Sequence, residues 1–356
     1  MYSWLFLLVS TLCWSQNQWS ASTHFLHGTV LPHSENIQHL IANPSNGFLL
    51  SIDQHQLQKN SWNQRYNQPE LGLSIHGQFN KNEILGNTLG LYAHYSFYLY
   101  KRDLQLKVAQ GISYATHPFD AFTNYRNTAY GSHWMPSTFF MLNYQKRKLI
   151  YNWGLQAGLL FIHHSNGSIK APNTGTNTFS FSTGINYTFN SQHTISDSDF
   201  SHRHPSIQFI GNFRTGINES HIVGMGQKPF FHLSLLGAKK WDDYGSWQLG
   251  TEFFWSYSLK ELTKFLAVSF PKSKVQPNDD WKRMGVFIGY EWYLNRLSVE
   301  GQIGYYVYNP YREGAKAYQR LGLKYYFTQR LQGLFSLKTH TANAEALEFG
   351  VGYKLF

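Results

Sequence analysis

The feature that most constrains this chain is a period-two alternation of apolar and polar residues, sustained over roughly 10–14 residues at a time. Leu104, Leu106, Val108 and Ile112 alternate with Gln105, Lys107, Ala109 and Gly111. Leu297, Val299, Ile303, Tyr305 and Val307 alternate with Ser298, Glu300, Gln302, Gly304 and Tyr306, and Leu321, Leu323, Tyr325 and Phe327 with Arg320, Gly322, Lys324 and Tyr326. Successive side chains of a strand point to opposite faces, so each run is a strand with one apolar and one polar face. Strands of soluble sandwiches usually have about 5–6 residues. A strand tilted across a bilayer needs about 9–11, with apolar residues outside the barrel and polar ones within. The expected fold is therefore all-β, a transmembrane antiparallel β-barrel of the outer-membrane type.

Strands are predicted near 23–32, 46–56, 69–79, 89–100, 103–115, 137–147, 149–164, 178–189, 204–215, 229–240, 244–258, 282–294, 295–308, 315–328, 331–340 and 344–356. The first two runs alternate least regularly, so the expectation is about 14–16 strands in a single barrel domain over residues 17–356, with no domain linker or internal repeat. Short polar turns at Lys101-Arg102-Asp103, Lys146-Arg147-Lys148, Trp241-Asp242-Asp243-Tyr244, Asn295-Arg296 and Gln329-Arg330 alternate with longer links at 116–136, 165–177, 216–228 and 259–281. Short periplasmic turns and long outer loops are the rule for such barrels. The stretch 190–203 departs from it, being long on the short-turn side. In 259–281, Leu259, Leu262, Phe265 and Leu266 have a helix-like spacing, within what is otherwise expected to be a packed loop. At the C-terminus Leu347, Phe349, Val351, Tyr353 and Leu355 alternate up to Phe356, similar to the terminal strand by which outer-membrane barrels are recognised for assembly.

The only long apolar run, Trp4 to Trp14, is too short to cross a bilayer as a helix. Followed by Ser15 and Gln16, it reads as a signal peptide over residues 1–16. The single cysteine, Cys13, lies inside it, so the mature chain has no disulfide framework or cysteine metal site. Aromatics reach 17% while charged residues are 14%, and the net charge is +10. For an exported barrel that charge fits attraction to anionic lipid head groups. The basic residues are scattered and many fall in turns, which argues against a nucleic-acid partner.

The stretch with chemistry in it is Phe161-Ile162-His163-His164-Ser165-Asn166-Gly167 and the run after it as far as Asn177. Leu149, Tyr151, Trp153, Leu155, Ala157, Leu159 and Phe161 make one face of a strand, and His163 and Ser165 continue it. On the next strand, Phe179, Phe181, Ile185, Tyr187 and Phe189 make the apolar face, and Asn177 continues that parity. A hairpin sets Asn177 beside His163. Three polar residues then sit on the lipid-facing wall, where polar groups are costly and need a reason. Nucleophilic catalysis supplies one: Ser165 is a poor nucleophile until His163 takes its proton, and an amide such as Asn177 can orient the imidazole. Asn166 and the backbone N–H of Gly167 or Ser168 are candidate oxyanion donors. Lys170 and Arg126 are candidate binders of lipid phosphates on the outer side. Asp120 and His133 are loop residues that can support the site. His163 and His164 are adjacent on a strand and point to opposite faces, so they do not share a metal ion.

His163-His164-Ser165-Asn166-Gly167, Ile169-Lys170 and Pro172-Asn173-Thr174-Gly175 together resemble the motif of the outer-membrane lipid A 3-O-deacylases, the acyloxyacyl hydrolase family. With Pro32-His33-Ser34 and Gly131-Ser132-His133, the chain looks like the longer members from the Bacteroidetes. The resemblance implies His163 as base, Ser165 as nucleophile and an acidic third member at position 177, where this chain has Asn177. No Asp or Glu occurs between Asp120 and Asp197. The spacing also resembles outer-membrane phospholipase A, which has His-x-Ser-Asn-Gly and an Asn twelve residues after the Ser and is a calcium-dependent dimer. The first resemblance implies a serine esterase that removes an ester-linked acyl chain from lipid A, without a cofactor. The second implies the same chemistry on phospholipid, with Ca2+. A non-enzymatic channel is a third reading, and the chain is expected to be membrane-embedded as a monomer or homodimer.

Overall fold

The computed structural model describes residues 18–41, 43–55, 61–189, 207–242, 244–270, 272, 274–294, 296–311, 314–341 and 343–355. The expected signal peptide, the 190–203 link and Phe356 lie outside the described residues. Sixteen strands form. The first eight are β1 (Trp19–Val30), β2 (Ser45–His55), β3 (Glu70–Phe79), β4 (Thr88–Leu99), β5 (Leu104–Ala115), β6 (Trp134–Ile150), β7 (Trp153–His164) and β8 (Thr176–Thr188). The others are β9 (Ile207–Asn218), β10 (Lys228–Asp242), β11 (Gly245–Ser256), β12 (Arg283–Leu294), β13 (Leu297–Tyr308), β14 (Ala317–Tyr326), β15 (Leu331–His340) and β16 (Asn343–Lys354). All have at least the length a bilayer crossing requires. The two least regular runs are strands too.

The sixteen strands do not make one wall. β8 pairs back onto β1, with Ser20 opposite Thr188, and β16 pairs back onto β9, with Phe349 opposite Thr215. The result is two closed eight-stranded antiparallel barrels, β1–β8 and β9–β16. This corrects the single barrel expected over 17–356. The physical reason is that alternation fixes which way each side chain points but not which strand closes the sheet. A membrane sheet must close to satisfy its edges, and eight strands suffice.

Both barrels turn their apolar residues outward. Leu91 is 59% exposed on β4 and Leu249 68% exposed on β11, while His94 and Gln248 on the same strands are buried. An eight-stranded barrel has an interior just wide enough for side chains to fill it. In the first barrel Asp53 bonds His94 Nε2 at 2.8 Å and Lys107 Nζ at 3.3 Å, and Arg147 donates two 2.9 Å bonds to Glu70. In the second, Arg320 bonds Glu252 at 2.7 Å and Glu348 at 2.7 and 3.0 Å, and Lys324 bridges Glu291 and Glu300 at 2.8 Å each. Buried charges are tolerable only when paired in this way. Among the described residues both lumens thus hold networks of ion-paired side chains.

The barrels touch at both ends. On the short-turn side, helix α1 (Ser61–Arg65) brings Trp62, whose Nε1 donates to Tyr293 O at 2.9 Å, and Tyr66 OH accepts from Trp292 Nε1 at 2.7 Å. On the long-loop side, residues 166–171 lie against the second barrel. The link 259–281 does contain a helix, α2 (Tyr257–Ser269), whose Leu259 and Leu262 are buried, in agreement with their spacing.

Candidate functional site

β7 and β8 pair in a register that sets His163 opposite Asn177 and His164 opposite Thr176. Burial alternates along β7 so that His163 continues the outward face and is half-buried, while His164 points into the lumen and is fully buried beside His76. The two histidines therefore lie on opposite sides of the wall, as their adjacency requires. His163 Nδ1 and Asn177 Oδ1 are 2.6 Å apart. An amide oxygen only accepts, so Nδ1 carries the proton and donates, and Nε2 is left as the basic nitrogen.

Ser165 begins the loop after β7 and is half-buried. Its Oγ donates to Asn173 Oδ1 at 3.2 Å and accepts from Gly167 N at 3.2 Å. Asn173 Oδ1 also accepts from Asn166 N at 2.8 Å. The Ser165 hydroxyl thus rests on Asn173 and not on His163. The two side chains nonetheless border one small space. A Cβ added to Gly175 would lie 3.2 Å from Ser165 Cβ and 3.5 Å from His163 Cε1. Gly175 has φ +70°, a conformation glycine adopts at no steric cost. The same Cβ would lie 2.6 Å from His164 O, so a side chain here would press on the β7 backbone and on Ser165.

The Asn166 side chain, expected as an oxyanion donor, is fully buried and donates to Lys170 O at 2.6 Å. It braces the loop. The Gly167 N–H is the backbone donor at the Ser165 hydroxyl. Lys170 and Arg126 are both exposed on the long-loop side, and the Arg126 carbonyl accepts from His39 Nε2 at 2.7 Å. Asp120 organises its own turn. The N–H of Thr123, the N–H of Phe122 and the Thr123 hydroxyl bond its carboxylate and hold its pKa below the ordinary value, with the Lys170 charge adding to this. His133 Nδ1 donates to Ala115 O at 2.8 Å and its ring stacks on Tyr114. Neither Asp120 nor His133 bonds the His163–Ser165 pair. Residues not assigned to the site also bond its loop, among them Asn173, which lies in the Pro172-Asn173-Thr174-Gly175 motif, and Glu219, whose carboxylate accepts from Ala171 N at 2.9 Å. Nothing local in the sequence points to Glu219.

His163 and Asn177 thus face outward together at the ends of β7 and β8, with the half-buried Ser165 beside them at the start of the loop. Residues 46–186 match the family described as lipid A 3-O-deacylase (PagL), and residues 205–356 match the C-terminal domain of acyloxyacyl hydrolase (PagL_C). The first match runs from β2 to β8 and the second spans the whole second barrel. The chain belongs to the lipid A 3-O-deacylase, or acyloxyacyl hydrolase, family of the outer membrane. The phospholipase and channel readings gain no such match.

None of the curated proteins compared with the chain matches it. Among solved structures, a mutant of the Rh. blastica porin is 12% identical, with 96% of this chain and 99% of that chain covered and a TM-score of 0.18. The Acinetobacter baumannii outer membrane protein Omp33 is 7% identical, with 96% and 99% covered and a TM-score of 0.20.

Proposed function

We propose that Ser165, His163 and Asn177 carry out the ester hydrolysis on lipid A that defines this family. The observation that carries the reading is the 2.6 Å bond from His163 Nδ1 to Asn177 Oδ1 on the outward wall. It fixes the tautomer in which Nε2 can take a proton. Rotation of Ser165 away from Asn173 turns Oγ toward that nitrogen. Catalytic hydrogen bonds often close only when substrate is bound. Oγ then attacks the acyl carbonyl carbon while His163 Nε2 accepts its proton. The Gly167 N–H is the donor proposed for the oxyanion. Collapse breaks the ester bond, His163 returns the proton to the departing sugar oxygen, and the acyl chain is held on Ser165. Water attacks this acyl-enzyme, with His163 again as base, and releases the fatty acid.

Asn177 orients the ring but, unlike a carboxylate, adds no charge to stabilise the imidazolium. Lys170 and Arg126, exposed on the outer side, are proposed to meet the lipid A phosphates. The scheme uses no metal, so a chelator leaves the rate unchanged. In vesicles containing lipid A, wild-type protein converts the lipid to a form lacking one acyl chain, read by mass spectrometry. Ser165→Ala is expected to lower the rate by about 10³-fold or more. Deacylation by Ser165→Ala at the wild-type rate would sink the assignment.

A further inference from the structure

Residues 167–171, directly after Ser165, are held more by the second barrel than by the first. Glu219, just past β9, is 7% exposed. Its Oε2 accepts from Ala171 N at 2.9 Å, its Oε1 from Gly226 N at 2.8 Å, and its own N–H donates to Ser168 O at 2.9 Å. Gln227 Nε2 donates to Ile169 O at 2.9 Å, and Ser168 Oγ donates to Ala344 O at 2.6 Å. Gly167 packs on the outer wall of β15 and β16, where a Cβ would lie 3.1 Å from Leu347 Cβ and 3.4 Å from Leu337 Cδ1. The loop is tied internally by Asn166 Nδ2 to Lys170 O. A displacement of Ala171 is therefore passed to Asn166 and to the Gly167 N–H at the Ser165 hydroxyl.

We infer that the second barrel is a clamp on the nucleophile loop and that Glu219 is a positioning residue for Ser165. The inference rests on Ser165 being the nucleophile. The loop takes no carboxylate from its own neighbourhood in sequence, since none occurs between Asp120 and Asp197. The one bonded to its backbone comes from across the barrel interface. A carboxylate accepts at both oxygens, and such charge-assisted bonds are stronger than neutral ones. Two backbone segments, 168–171 and 226, are fastened by one side chain. The second barrel, which pairs no strand with the first, gains a role in the reaction without touching the reacting atoms.

The test uses the full-length protein in lipid A vesicles and a fluorophosphonate probe that labels the nucleophilic serine. Glu219→Gln replaces one acceptor oxygen by a donor, so one of the two N–H bonds is lost while size is kept. It is expected to lower kcat about 10- to 100-fold, the scale of a small misplacement of a reacting group. KM should stay near the wild-type value, and the rate of Ser165 labelling should fall in parallel. Gln227→Ala, which removes one neutral bond to the loop, is expected to give a smaller loss in the same direction and serves if Glu219→Gln does not fold. Lys264→Ala, on the exposed face of α2, should leave both rates unchanged. Wild-type kcat and labelling rate in both folded loop variants would overturn the clamp. A wild-type protein that is active but unlabelled at Ser165 would overturn the nucleophile assignment instead.

Discussion

The two barrels have the same strand number, the same outward apolar face and ion pairs inside, yet their last hairpins differ: among the described residues that of the first sets a His and an Asn side by side on the outward face with a Ser in the loop beside them. The difference lies in one hairpin. In the first barrel β7 and β8 are joined by residues 165–175, and the strand ends place His163 opposite Asn177 facing outward. In the second barrel the corresponding hairpin, β15 to β16, closes at once, with His340 opposite Asn343. His340 faces the lumen, where its Nε2 meets Tyr306 OH at 2.9 Å and Glu345 at 3.3 Å. The wall supplies the scaffold and the long loop supplies the site, an instance of function grafted on a fold.

The sharpest way to break this comparison is to remove the histidine on the outer wall. His163→Ala is expected to lower lipid A deacylation by about 10³-fold or more with both barrels intact by circular dichroism and thermal unfolding. Normal turnover would mean that the two barrels do not differ in the way described. Next in size is a change inside the second barrel's charge network. Arg320→Ala leaves Glu252 and Glu348 buried without their main partner. It should cost about 3–5 kcal/mol in urea unfolding of the detergent-solubilised protein. An unchanged midpoint would show that the network contributes no stability. The smallest effect expected is at the third member of the site. Asn177→Asp restores a charge that stabilises the imidazolium, and a rise in kcat of a few fold is expected, on the order of 1 kcal/mol or less. A fall in kcat would show that the amide is required.

Much of the site was legible because it is local. The parity of β7 and β8 placed His163 and Asn177 on one outward face, and a hairpin has to bring their ends together. The strand positions were legible for the same reason, since alternation is a property of neighbours in the chain. Asn173 was within reach of such reasoning, because it lies in the motif beside Ser165, but its grip on the Ser165 hydroxyl depends on how the loop folds back. Glu219 was out of reach: it is 48 residues from Ala171, and no pattern in either segment announces the other.

The sequence by itself determined about 14–16 membrane-length strands, which face of each meets lipid, and the His-x-Ser spacing that points to ester chemistry. These follow from short-range sterics and from the cost of polar groups in a bilayer. Only the tertiary structure decided that β8 returns to β1, so that sixteen strands make two barrels, and that the second presses Glu219 on the loop of the first. Closure and docking are contacts between distant segments, fixed by which edges and surfaces meet in space, and alternation along the chain carries no record of that choice.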